Sequence, residues 1–185
     1  MAKNHYQVLV IGGGTAGIMV SSQLKQANSK LKIGLIEPAD THYYQPAWTL
    51  VGANAYDYEA TGRPMKSLIP NGVDWIKNYA ESFQPASNQI TTRNGDQYTY
   101  DFLVVAPGIK IDLTLIEGLE ETLGKNGVCS NYTDPKYTWE VLKNFKGGNA
   151  VFTQPTTPIK CGGAPQKIAY LSADYFRKNN CRNIK

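Results

Sequence analysis

The stretch "QVLVIGGGTAGIMV", residues 7–20, constrains what this chain can fold into more than any other. "QVLVI" (7–11) is a short β-branched apolar run that stops at glycine, the pattern of a buried strand. "GGGTAG" follows and places Gly12, Gly14 and Gly17 in the GxGxxG spacing. "IMVSSQLKQAN" then repeats Ile18, Leu24 and Ala27 at helical intervals until Asn28 and Ser29 end the helix. A second apolar run, "LKIGLIE" (31–37), stops at an acid. Strand, glycine turn, helix and strand over residues 7–37 make a βαβ unit, which predicts an α/β fold with a parallel sheet.

Each glycine of the spacing has a physical task. Gly12 permits the tight turn, Gly14 lets a pyrophosphate approach the backbone, and Gly17 lets helix and strand pack closely. Amides near Thr15 and Ala16 then face the phosphates at a helix N-terminus, where the dipole favours anions. Glu37 closes the next strand about 20 residues further on, where a carboxylate accepts both ribose hydroxyls and disfavours a 2′-phosphate. The motif alone does not separate NAD from FAD, and an ordinary glycine turn is the alternative.

Residues 38–72 are irregular but carry Tyr43, Tyr44, Trp48, Tyr56 and Tyr58, too many aromatics for a solvated linker. A loop of that length serves a site. "VDWIK" (73–77) reads as a third strand, and Asn94-Gly95 as a hairpin turn between β-prone runs. "DFLVVAPG" (101–108) reads as a buried strand, and its Ala-x-Gly ending recurs where two-domain flavoproteins bring the chain back to FAD. Asp134-Pro135 opens a helix, with Asp as N-cap and Pro at the first helical position. "NAVFTQ" (149–154) reads as a new strand, residues 165–178 as a helix, and "NIK" (183–185) as the opening of another strand. A domain that stopped there would leave an unpaired sheet edge, so the chain reads as part of a longer polypeptide.

Composition narrows the chemistry. No apolar run in the 185 residues approaches the roughly 18–20 needed to span a bilayer. Neither a secretory nor a transit segment opens the chain, so the visible part reads as cytoplasmic. The net charge of +4 is scattered, with no basic block to bind nucleic acid. Three cysteines without a CxxC, and two histidines, argue against a disulfide framework and against a metal site. Cysteine is left with packing or redox work.

The glycine turn, "HYYQPAWTLVGA" (42–53), "TGRPMKSLIP" (61–70), "VDWIK", "CSNY" (129–132) and "GNAVFTQPTTPIKCGGAPQKIAYLSADYFRK" (148–178) together make the chain resemble the sulfide:quinone oxidoreductases, in the branch that includes the mitochondrial enzymes. The resemblance covers essentially the whole chain. It implies a Rossmann-like FAD-binding parallel sheet with an inserted β-hairpin or meander over 1–112, a connecting segment at 113–147, and the start of a second dinucleotide-type unit at 148–185. It also implies electrons passed from sulfide through a redox cysteine and FAD to a membrane quinone, with sulfane sulfur leaving to an acceptor. FAD contacts then come from Gly12, Gly14, Thr15, Ala16 and Gly17 at the pyrophosphate, Glu37 at the ribose, Gln45 in the long loop, and the backbone of Ala80 at the adenine. His42 handles protons or is structural; both readings stay open.

The resemblance also gives Cys161 a role. In related reductases a second glycine-rich turn binds a nicotinamide nucleotide, but here it reads "QPTTPIKCGGAP", and Pro155 and Pro158 have no N–H for a phosphate. Cys161 follows Lys160 and precedes a helix, features that stabilise a thiolate. It matches one member of the family's redox pair. The partner, much of the quinone pocket and an amphipathic membrane-binding segment are expected in the C-terminal part, which would hold the full-length protein peripherally on the inner face of the cell membrane. Cys129 departs from the mitochondrial pattern; some bacterial relatives carry a third redox cysteine in a comparable region, so redox participation and simple packing both stay open for it, and Cys181 reads as incidental. A non-catalytic nucleotide-binding piece and an NADH-fed quinone reductase are the alternatives.

Overall fold

The structure, a computed structural model, describes residues 4–156, 158–179, 181, 184 and 185. Its elements in chain order are β1 (His5–Ile11), α1 (Thr15–Ala27), β2 (Ile33–Ile36), β3 (Thr41–Tyr43), α2 (Trp48–Gly52), β4 (Gly62–Pro64), β5 (Val73–Ile76), β6 (Ala80–Gln84), β7 (Gln89–Thr92), β8 (Gln97–Val105), α3 (Leu119–Thr122), α4 (Pro135–Asn144) and α5 (Ala164–Lys178). Two compact units divide them.

The first unit comprises the chain up to His42 together with Arg63–Ile111. Its sheet runs β5-β2-β1-β8-β7-β6. β5, β2, β1 and β8 are parallel, while β8, β7 and β6 form an antiparallel meander. The central strands β1 and β2 are short apolar runs because both of their faces are buried. One face gathers Val8, Val10, Ile33, Leu35 and Val73 with Leu24 of α1, and the other gathers Tyr6, Leu9, Ile11, Ile36, Ile90 and Tyr100. The Asn94-Gly95 hairpin forms as expected. Gly95 takes φ +89° and its N–H donates to Thr92 O at 2.8 Å.

Two expectations for this unit need correction. The buried stripe of α1 is Gly17 and Ser21, and Ala27 is exposed. At its N-terminal end the helix lies so close to the glycine turn that only small side chains fit beneath it, while Leu24 further along packs half-buried against the Val8 face. "DFLVVAPG" is not a buried strand; its first five residues end β8 and 106–108 lie beyond it, and Phe102 and Val105 are 71% and 57% exposed. In register, Phe102 pairs with Val8, on the face where α1 packs. α1 covers β1 and β2, so Phe102 on that face of β8 stays open among the described residues, while Val104 beside it packs half-buried against the cluster.

The second unit comprises Tyr43–Gly62 and Asp112–Lys185. Three of the five aromatics of the long segment, Tyr43, Trp48 and Tyr58, pack together, while Tyr44 and Tyr56 are exposed. Trp48 is buried, and the rings of Tyr43, Trp48 and Tyr58 lie 5.4–6.0 Å apart. α2 packs on α4 and α5, and Trp139 meets Tyr175 edge-on at 5.0 Å. α4 starts where its N-cap predicts, with Asp134 Oδ1 accepting from Tyr137 N at 2.9 Å and Pro135 opening the helix.

The strand expected at 149–154 does not form. Gly148 pairs with Ile184 as an isolated parallel bridge, supported by Ala150 N to Lys185 O at 3.1 Å and Lys185 N to Gly148 O at 2.9 Å. A parallel strand cannot borrow its partner from a tight hairpin; the partner must return after a crossover helix. Beyond α5 the described residues of that partner are Ile184 and Lys185, while Asn183 of the expected "NIK" strand lies outside them.

Candidate functional site

The glycine turn closes by local hydrogen bonding at the end of β1. Gly12 N donates to Ile36 O at 2.9 Å, and Ala106 N donates to Ile11 O at 2.8 Å, so β2 and β8 flank the turn. Gly12 has φ +99°, and a Cβ there would lie 2.2 Å from Ala106 O. A Cβ at Gly17 would lie 1.8 Å from Gly12 O. Both positions are therefore closed to any side chain.

Gly14 is different. It is exposed, its φ of −71° is open to any residue, and a Cβ there would meet nothing within 4 Å. Packing among the described residues does not require glycine at 14. It caps α1, whose first-turn amides at Thr15, Ala16 and Gly17 have no acceptor inside the helix. No acidic residue occupies that first turn. The result is an open, donor-lined N-terminus suited to an anion.

Glu37 is held at the rim of this turn. Its Oε2 accepts from Gly13 N at 2.7 Å and its Oε1 from Ala39 N at 2.7 Å. Each carboxylate oxygen keeps a further lone pair for a hydroxyl donor. Gly13 had no assigned task in the spacing, yet a Cβ there would lie 2.6 Å from Glu37 Cγ. A third consecutive glycine was the available signal. Ala80 opens β6 in the same unit, half-buried against the Tyr6 face of the sheet.

Cys161, Gln45 and their neighbours belong to the second unit. Cys161 is half-buried in the loop before α5, and its carbonyl accepts from Ala164 N at 3.0 Å and from Tyr132 Oη at 3.2 Å. The ammonium that faces its sulfur is Lys167, with Nζ 3.9 Å from Sγ. Lys160 turns away and donates to Gln45 Oε1, over the Tyr132 ring. Gln45 is thus tied to the cysteine loop, and the lysine beside the thiol lies one turn into the helix instead of next to it in sequence. Helical side chains lean toward the N-terminus, which is how Lys167 reaches back. His42 lies half-buried in β3.

Cys129 and Cys181 are also free. Burial pushes the Cys129 thiol up, partly offset by a hydrogen bond with Thr138. Cys181 Sγ approaches Phe145 O at 3.6 Å.

Comparison with known proteins gives the wider setting. The profile of the family described as "Pyridine nucleotide-disulphide oxidoreductase" matches residues 6–142. The chain is 45% identical over 183 residues to the mitochondrial sulfide:quinone oxidoreductase of Mus musculus, covering 98% of this chain and 41% of that protein. It is 43% identical to the corresponding protein of Dictyostelium discoideum, with the same coverage. The solved sulfide:quinone oxidoreductase of Aquifex aeolicus superposes with a TM-score of 0.75 at 26% identity, over 98% of this chain and 42% of that one. The chain spans about two fifths of the length of the curated relatives it matches.

Proposed function

The chain belongs to the pyridine nucleotide-disulphide oxidoreductase family, and on that premise we propose that it is the FAD-binding, thiol-bearing portion of a sulfide:quinone oxidoreductase. The observation that carries the reading is Gly14, a glycine its own fold does not need, open above the unpaired amides of α1 and beside a pre-set carboxylate. FAD fits that chemistry. Amides of residues 14–17 hold the pyrophosphate, Glu37 accepts from the ribose hydroxyls, Ala80 offers main-chain groups to the adenine, and Gln45 serves the cofactor from the long loop. When bound, FAD supplies a two-electron carrier between thiol and quinone.

Cys161 supplies the sulfur chemistry, with a second cysteine expected beyond these residues. Hydrosulfide attacks the disulfide between the two. The S–S bond breaks, one cysteine takes up the new sulfur as a persulfide, and the other leaves as a thiolate, which the Lys167 ammonium balances when it is Cys161. The outer sulfur passes to a nucleophilic acceptor and frees the second thiol. Re-forming the disulfide from that thiol and the thiolate releases two electrons and one proton, and the quinone takes these together with a second proton from solvent.

The full-length protein is read as peripheral on the inner face of a quinone-bearing membrane. Among the described residues no helix is long and apolar enough to cross one. The test is anaerobic sulfide added to the full-length protein with quinone withheld. The flavin bands should bleach, and Cys161→Ser should abolish both bleaching and turnover. Absence of bleaching in the wild type, or full activity in the variant, overturns the reading. Flavin reduction by NADH would favour the NADH-fed alternative.

A further inference from the structure

We infer that Trp75 is a positioning residue for the adenosine end of the cofactor, acting through Glu37; the inference rests on the reading of the glycine turn as an FAD site. Glu37 is the first residue past the last paired position of β2 and β5, Ile36 with Ile76. Its N–H still reaches the ladder, donating to Ile76 O at 3.0 Å. The ladder then stops, because Pro38 has no N–H, and a residue before proline is confined to extended backbone. The Glu37 carbonyl would be left without a main-chain partner on β5. Instead the indole Nε1 of Trp75 donates to it at 2.8 Å.

Trp75 is anchored for this task. It pairs with Leu35 in register and packs against the Val8, Val10 and Leu35 face of the sheet. With its carbonyl fixed, Glu37 presents its side chain in one direction, and Gly13 N and Ala39 N hold the two carboxylate oxygens. All four polar ends of Glu37, two of backbone and two of side chain, are then engaged before any ligand arrives. An acceptor pair set in advance spares the cofactor the ordering cost of binding. On the outer side of the indole, Lys77 lies 6.0 Å from the Trp75 ring and pairs with Asp40 at 2.5 Å. Both of those side chains are exposed, so this pair serves as a control.

The experiment measures FAD affinity of the full-length protein, stripped of flavin, by quenching of flavin fluorescence. Four proteins are compared with wild type: Trp75→Phe, Glu37→Gln, the double variant, and Lys77→Met. Each is also tested with an FAD analogue carrying 2′-deoxyadenosine. Trp75→Phe should weaken FAD by roughly 3- to 10-fold, the range of one lost neutral hydrogen bond. The double variant should be no weaker than Glu37→Gln alone, the preference for FAD over the deoxy analogue should shrink in Trp75→Phe, and Lys77→Met should match wild type. A purely structural role would leave the preference intact and make the two losses multiply, and that result overturns the inference. So does wild-type affinity in Trp75→Phe. If Glu37→Gln itself binds FAD as wild type does, the reading of the nucleotide site fails and takes the inference with it. Should Trp75→Phe not fold, benzothienylalanine at 75 keeps the shape of the ring and removes only the N–H.

Discussion

Replacing Gly14 with alanine separates what the fold needs from what the cofactor needs. A Cβ at 14 meets nothing within 4 Å, and the backbone there, φ −71° and ψ −175°, is open to any residue. The apoprotein should therefore unfold within about 1 kcal/mol of wild type, because losing glycine as the better N-cap costs up to about 1 kcal/mol and the stiffer unfolded chain returns about 0.4–1 kcal/mol. FAD should respond very differently. The methyl group stands where a pyrophosphate would approach the amides of Thr15 and Ala16. A hydrogen bond to a charged group is worth about 1.5–3 kcal/mol, and every 1.4 kcal/mol is tenfold, so loss of one such bond weakens FAD by roughly 10- to 100-fold. Thermal unfolding of the apoprotein and flavin-quench titration measure the two effects independently. A variant that binds FAD as tightly as wild type would refute the placement of the pyrophosphate. A variant that loses stability without FAD would refute the claim that the position is free of the fold.

Other expectations follow from particular contacts. Gly17→Ala forces a Cβ to within 1.8 Å of Gly12 O, a backbone atom that cannot swing aside, so the apoprotein should lose roughly 1–3 kcal/mol in a denaturant titration. Asp134→Ala removes the acceptor for Tyr137 N and should cost about 1 kcal/mol, read the same way, while Asp134→Ser should restore most of it. Tyr6 is held up at about 12, by burial first and then by the charge of Asp74. The folded state thus keeps this proton longer than the unfolded chain does. Stability should fall as pH rises past 10 and go on falling to about 12, and the decline should be shallower in Tyr6→Phe.

The glycine turn was legible because its constraints are local: a run that stops at glycine, a fixed spacing, and an acid one strand later. Helix α4 was legible for the same reason, since Asp134 and Pro135 cap it within one turn. What escaped the sequence depends on contacts far apart in the chain. Phe102 reads as core in an apolar run, yet its burial depends on how far α1 reaches across the sheet. Residues 149–154 read as a strand by composition, but a parallel strand exists only where a distant partner pairs with it. The bond from the Trp75 indole to Glu37 O joins two strands and leaves no local pattern. Lys167 in place of Lys160 beside the Cys161 sulfur follows from helix geometry that the bare sequence order conceals.

Gly12 lies under the carbonyl of Ala106, and the strand leading to Ala106 closes one side of the turn. A nascent chain that has emerged only through α1 and β2 therefore lacks part of the wall around its glycine turn. Loop-closure entropy must be met across everything between residues 12 and 106 before that wall stands. Cofactor capture during synthesis should thus wait until the far end of β8 has left the ribosome, and a truncation ending before it should emerge colourless.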